Sequence, residues 1–299
     1  MTIFPLTDVH CHLQNDRFAV DLSQVIVRAE LVGVTRFVCN TTAPSDWEKT
    51  LQLARDYPNV LPCLGLHPLH VGAFAASPGD TLEHDWLDQL AELLEKASRE
   101  LPQPVAIGEI GLDHYVETRD DALQESVFRE QLHLAARLQK PVMLHTRRAL
   151  DRSLEILCEF CSKKSIAQGG IPAFLLHGFG GPTERVDQIV NMGGYFSFSA
   201  NILKIKHKKM RQAAAIVPLD RVLLESDAPD LPPPNFAIPK NWPVYKNIAP
   251  EEAAEIAVVR NEPSILPAIL VELAALRNIP VGELAGIIAE NEAAFFEKW

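Results

Sequence analysis

Short apolar runs alternate with amphipathic helical stretches along almost the whole chain, and this alternation limits the folds open to it. Strand-like runs are read at residues 3–12, 35–39, 60–66, 105–108, 142–144, 173–176, 195–198 and 221–224. Helical patterns fall between most of them. One covers 21–31, and the next starts at Ser45-Asp46-Trp47-Glu48, whose first and last residues have capping-box spacing. Trp86, Leu90, Leu93, Leu94 and Ala97 form one apolar stripe at three- and four-residue spacings, as do Phe128, Leu132, Ala135 and Leu138. Further helix is read around 206–216, from 264 to 277, and on to Trp299. Continuously apolar strands joined by helical crossovers form parallel sheets covered on both faces. Eight such units in 299 residues predict a (β/α)₈ barrel, with a doubly wound open sheet as the alternative. No break in composition divides the chain, so residues 1–299 are expected to form one domain.

Composition bears on what such a domain can bind. Hydrophobic residues make up 47% of the chain, enough for a sizeable core. No apolar run approaches the ~18 residues that span a bilayer, and the N-terminus has no basic leader. The five cysteines are few and odd in number, which suits a reduced, cytoplasmic protein; a monomer with no membrane partner is expected. Cys158 and Cys161 lie late in a helical pattern with no second pair and are read as buried helix cysteines. The net charge of −11 argues against avid binding of duplex DNA through its backbone. A strand held locally by metal ions stays open. The one basic run, Lys204 to Arg211, is read as a solvated helix face, with the guiding of a polyanion at the rim as the alternative.

The polar residues that matter sit where the apolar runs stop. His10 and His12 close the first run, on one face of a strand with Asp8. His67 ends the third, Glu109 and Asp113 follow the fourth, His145 ends the fifth, His177 the sixth, and Glu225-Ser226-Asp227 the eighth. In a barrel these ends form one rim, the place where catalytic residues gather. Six of these, four histidines, one glutamate and one aspartate, are too many ligands for one tetrahedral ion. They suit two ions ~3.5–4 Å apart sharing a carboxylate. Glu109, midway in strand order, is the expected bridge.

The motifs Asp8-Val9-His10-Cys11-His12, Gly65-Leu66-His67-Pro68 and Gly108-Glu109-Ile110-Gly111-Leu112-Asp113 resemble those of the TatD family of metal-dependent deoxyribonucleases. So do residues 141–147 around His145, 176–181 around His177, 224–229 around Asp227, and Asn261-Glu262-Pro263. They occur in the family's order and span residues 8 to 263. The resemblance implies a barrel of the amidohydrolase type and a divalent-metal phosphodiesterase, a 3′→5′ exonuclease on single-stranded DNA or RNA. By motif position it implies His10, His12, Glu109, His145, His177 and Asp227 as metal ligands. Mg²⁺ is the ion the resemblance implies, whereas four imidazoles suit Zn²⁺ or Mn²⁺.

Within this reading the ions activate a water and polarise the phosphoryl oxygen. Asp227 is the candidate general base, and Asp8 and Glu225 are candidate acceptors for imidazole N–H groups. Arg147, with its fork geometry, and His67 are candidate substrate contacts. Two features depart from the family pattern. Ser226 stands where threonine is usual, and a proline-rich rim loop at 228–262 is longer than in many members. A loop of that length on a catalytic rim is expected to shape substrate entry rather than the chemistry. The alternative is an amide, lactone or ester hydrolase on the same centre, since a fold does not fix a substrate. Barrels of that wider class often bridge their ions with a strand-4 lysine, where this chain has Glu109. A metal-dependent scaffold without activity is disfavoured by the complete ligand set.

Overall fold

The apolar runs form strands that are buried along most of their length, and the stretches between them form helices. In the computed structural model, which describes residues 3–75, 85–161, 170–234 and 260–296, the strands are β1 (Leu6–Cys11), β2 (Val34–Asn40), β3 (Val60–Leu64) and β4 (Ala106–Asp113). They continue with β5 (Val142–Arg147), β6 (Phe174–Leu176), β7 (Gly194–Phe198) and β8 (Val222–Leu224). All belong to one sheet whose order follows the chain from β1 to β8, with parallel pairing. This is the (β/α)₈ barrel that the alternation predicts.

Helices occupy the crossovers: α1 (Leu22–Glu30), α2 (Pro44–Asp56), α3 (Val71–Ala75), α4 (Asp85–Glu100), α5 (Asp121–Leu138) and α6 (Leu150–Cys161). After β6 come α7 (Val186–Asn191), α8 (Lys208–Ile216), α9 (Leu266–Arg277) and α10 (Val281–Phe296). The described residues fall into two compact units. One contains β1, α1, α8, β8 and α9; the other contains α2, β3, α4, β4, α5, β5, α6 and β6. Among the described residues no single helix is long and apolar enough to cross a membrane. Most of the 228–262 loop, including Pro239, Pro243 and Pro250, lies outside the described residues.

Three local expectations are corrected. Helix α2 begins at Pro44, so Ser45 and Glu48 lie inside it. The segment before the helix is held instead by Asp46, whose Oδ2 reaches back to accept from the amides of Thr42 and Ala43 and from the Thr42 hydroxyl. Cys161 is buried, but Cys158 lies on the exposed face of α6. Strand β4 runs on through Glu109 to Asp113 rather than ending before them.

A buried carboxyl in α10 gives the fold a pH dependence. Glu292 accepts the Thr7 hydroxyl at 2.6 Å and the Thr7 amide at 3.2 Å. Burial outweighs these hydrogen bonds and the pull of Arg36, and pushes its carboxyl from 4.5 up to about 7. The folded chain therefore keeps a proton that the unfolded chain releases between these values. This contribution to stability is complete below pH 4.5 and is lost as pH rises towards 7. We expect Glu292→Gln, which mimics the neutral acid, to be ~1–3 kcal/mol more stable than wild type at alkaline pH and little different in acid. Urea unfolding across this range checks it. A pH-independent difference between the two proteins would show that Glu292 does not titrate.

Candidate metal centre

In the first unit the site residues are held by a zipper between β1 and the segment that follows β8. The Ser226 amide donates to Asp8 Oδ1 at 2.8 Å, the Asp227 amide to the His10 carbonyl at 2.9 Å, and the His12 amide to the Ala228 carbonyl at 2.7 Å. The Ser226 hydroxyl also donates to Asp8 Oδ2. His10 and His12 thereby meet edge to face, with ring centroids 5.0 Å apart. Asp227 Oδ1 lies 3.8 Å from His10 Nε2 and 3.6 Å from His12 Nε2. The three side chains present ligand atoms within 4.8 Å of one another. Asp227 adopts φ +58°, a left-handed conformation that aspartate tolerates better than most residues.

The supporting carboxylates differ from expectation in one respect. Asp8 is fully buried but accepts from Ser226 and, at 3.3 Å, from the His10 amide. It thus fixes the backbone of the histidine segment. Burial pushes its carboxyl up to about 8 against those hydrogen bonds. Glu225 is also buried; it accepts the Ser197 hydroxyl at 2.5 Å and has an oxygen within 4.8 Å of a His10 nitrogen. Asn261, from the Asn-Glu-Pro motif, donates its side-chain amide to the Ser226 carbonyl at 2.6 Å and so braces the same turn.

The second unit builds a cluster around Glu109. Its Oε1 lies 2.7 Å from His145 Nδ1, 3.0 Å from His177 Nε2 and 3.5 Å from His67 Nε2. Three imidazoles thus converge on one carboxylate oxygen. His145 is held on its other side by Asp113, whose Oδ2 is 3.1 Å from Nε2. Burial opposes charge on His145, but the two carboxylates outweigh it and raise its pKa. On His67 burial prevails over the attraction of Glu109 and lowers it. The Leu69 amide donates to His67 Nδ1 at 3.1 Å, which leaves Nε2 facing Glu109. His67 is therefore buried among the candidate ligands, while Arg147 is exposed beyond His145.

Gly111 lets the strands carrying this cluster approach. Its φ is +138°, and a Cβ there would run into the His145 carbonyl oxygen of the neighbouring strand. Asp113 is the functional neighbour whose role the sequence reading left unassigned. The available signal is strand alternation, since Glu109, Gly111 and Asp113 share a face of β4.

Each cluster fits a divalent ion by its donor chemistry. Imidazole nitrogen with carboxylate oxygen is a common set for Zn²⁺ and Mn²⁺. Asp113 contacts the ring nitrogen of His145 opposite Glu109, as an outer carboxylate does when it orients a ligand histidine.

A model of the TatD-related DNases matches residues 7–297. The 3′-5′ ssDNA/RNA exonuclease TatD of Erwinia tasmaniensis is 31% identical over 97% of this chain and 98% of its own. An uncharacterized metal-dependent hydrolase, YjjV of Escherichia coli, is 31% identical over 97% of this chain and 96% of its own. The crystal structure of YjjV, a TatD homologue, matches with a TM-score of 0.75 and 28% identity, covering 98% of both chains. An uncharacterized amidohydrolase from Saccharomyces cerevisiae matches with a TM-score of 0.81 over 98% of this chain and 100% of its own; at 18% identity it speaks to the fold alone. The chain belongs to the TatD-related DNase family, and with it to the metal-dependent hydrolases.

Proposed function

We propose that this chain hydrolyses phosphodiester bonds as a 3′→5′ exonuclease on single-stranded DNA or RNA, with two divalent ions per chain. The observation that carries the reading is that each unit holds its own ligand set. One is His10, His12 and Asp227; the other is Glu109 with His145 and His177. Relatives that span the chain, named as exonucleases, support the substrate class. The bridging role of Glu109 rests on the sequence argument and is part of the proposal.

When bound, the ions act as Lewis acids on the phosphoryl group and favour ionisation of a water near neutral pH. The chain supplies the rest. Asp227 Oδ1 takes the proton from the attacking water. Asp113 fixes the His145 ring through Nε2. Asp8 and Ser226 fix the backbone on which His10 and Asp227 sit. The Arg147 guanidinium binds a non-reacting phosphate, for which its fork geometry suits it.

The experiment that tests the function is a turnover screen of single-stranded DNA, RNA and simple esters with Mg²⁺, Mn²⁺ and Zn²⁺. Preference for esters without cleavage of nucleic acid would favour the alternative hydrolase. Metal analysis tests the centre: protein loaded with Mn²⁺ or Zn²⁺ is expected to approach two ions per chain. A plateau at one ion would sink the two-metal reading.

A further inference from the structure

Tyr115 follows the strand that carries Glu109 and Asp113, and the residue is 47% exposed. Two guanidiniums sit against it, with the Arg147 carbon 3.7 Å and the Arg148 carbon 4.6 Å from the ring centroid. Both arginines are exposed, and among the described residues neither has a carboxylate within ion-pairing distance. Other arginines of the same unit do: Arg119 pairs with Asp121, Arg129 with Glu159, and Arg152 with Glu125. In a chain with a net charge of −11, two adjacent guanidiniums without an ion pair among the described residues need an explanation.

Their backbone is also held in place. Arg147 lies opposite Asp113 in the β4–β5 ladder, and its carbonyl accepts the His114 amide at 2.8 Å. Arg148 has φ +56°, which places a long non-glycine side chain in the left-handed region. Tyr115 is tied to the Glu109 cluster through its own amide, which donates to Asp113 Oδ1 at 2.7 Å. Asp113 in turn holds His145. The aromatic ring, the two cations and the candidate ligand cluster are thus fixed to one another by short contacts.

We infer that Arg147 and Arg148 form a two-guanidinium clamp for a backbone phosphate of the nucleic-acid strand, with Tyr115 as the platform that aligns both. A tyrosine face attracts guanidinium and keeps it planar to the ring, which reduces the freedom each fork loses on binding. This inference rests on the proposed hydrolysis of nucleic acid. Its new content is the pair Tyr115 and Arg148, neither of which reaches the Glu109 cluster through its side chain. Tyr115 is a positioning residue.

The test is steady-state hydrolysis of a single-stranded oligonucleotide at several salt concentrations. Arg148→Gln is expected to raise KM about tenfold, as loss of a charged hydrogen bond does. It should also flatten the dependence of log kcat/KM on log salt by about 0.7, the change for one phosphate contact on a single strand. Tyr115→Leu keeps both charges and should raise KM while retaining most of that slope; Tyr115→Phe keeps the ring and should behave as wild type. A wild-type enzyme that turns over, with Arg148→Gln and Tyr115→Leu unchanged in KM and slope, would overturn the clamp. Loss of kcat rather than a rise in KM in Arg148→Gln would overturn it too. A wild-type enzyme inactive on every nucleic acid with every metal would instead overturn the function on which the clamp depends.

Discussion

Replacing Asp227 with asparagine is expected to lower the rate of hydrolysis ~10²–10⁴-fold, the usual contribution of a general base, while most of the bound metal is retained. The substitution is a clean one for a structural reason. Asp227 has φ +58°, and asparagine shares aspartate's tolerance of that region, whereas alanine would strain the turn. The backbone contacts of the residue, its amide to the His10 carbonyl and its carbonyl from the Asp230 amide, do not involve the side chain. What changes is one carboxylate oxygen, close to two imidazoles, that loses its ability to take a proton. Metal analysis beside the kinetics separates the roles. If occupancy and rate fall together, and added metal restores part of the rate, Asp227 is chiefly a ligand. Near-normal turnover at ordinary metal levels would remove it from both roles.

How much of this site was legible follows from where each partner comes from in the chain. His10 and His12 stand out because an apolar strand ends in two imidazoles on one face, a pattern contained within a few residues. His145 and His177 stand out in the same way, each at the end of an apolar run. Glu109 was visible as a residue type, but its position inside β4 was not. Apolar-run reading stops at the first charge, and the imidazoles that make that charge tolerable lie 36 or more residues away, on β3, β5 and β6 or just beyond them. Asp8 shows the same limit. Its partner Ser226 is 218 residues distant, so a carboxylate that fixes a backbone turn was read as an imidazole acceptor. Tyr115 carried no periodic signal at all, being a loop residue whose meaning comes from Arg147 and Arg148 above it. At α2 the capping pattern pointed two positions astray, because Ala43 is the N-cap, Pro44 takes the start of the helix and Asp46 reaches back.

Arg28→Met is expected to cost ~3 kcal/mol of stability, towards the low end of what removing one partner of a buried ion pair does. Arg28 binds both Glu262 oxygens, with Nε to Oε2 and Nη2 to Oε1 each at 2.8 Å, and Nη2 also reaches Asp21 at 3.0 Å. The two side chains are 11% and 5% exposed, so water cannot replace what the substitution removes. The loss is moderated by Arg260, which stands 3.0 Å from Glu262 Oε1 and also pairs with Asp21. Methionine keeps the apolar stem of arginine, so the cost is that of stranding a carboxylate rather than of opening a cavity. The double variant Arg28→Met, Glu262→Gln removes the stranded charge and should recover a large part of the loss, because a buried pair and its neutral replacement differ little. Urea unfolding of the four proteins of the cycle gives the coupling directly. A single-variant cost below ~1 kcal/mol would mean that Arg260 alone satisfies Glu262. The effect reaches the candidate site through the chain itself. Glu262 follows Asn261, whose side chain holds the Ser226 carbonyl beside Asp227, and its amide donates to Asn261 Oδ1 at 2.9 Å. A stranded Glu262 that pulls towards solvent would drag on that brace. Metal affinity in Arg28→Met should therefore fall along with stability, and recover in the double variant to the extent that stability does.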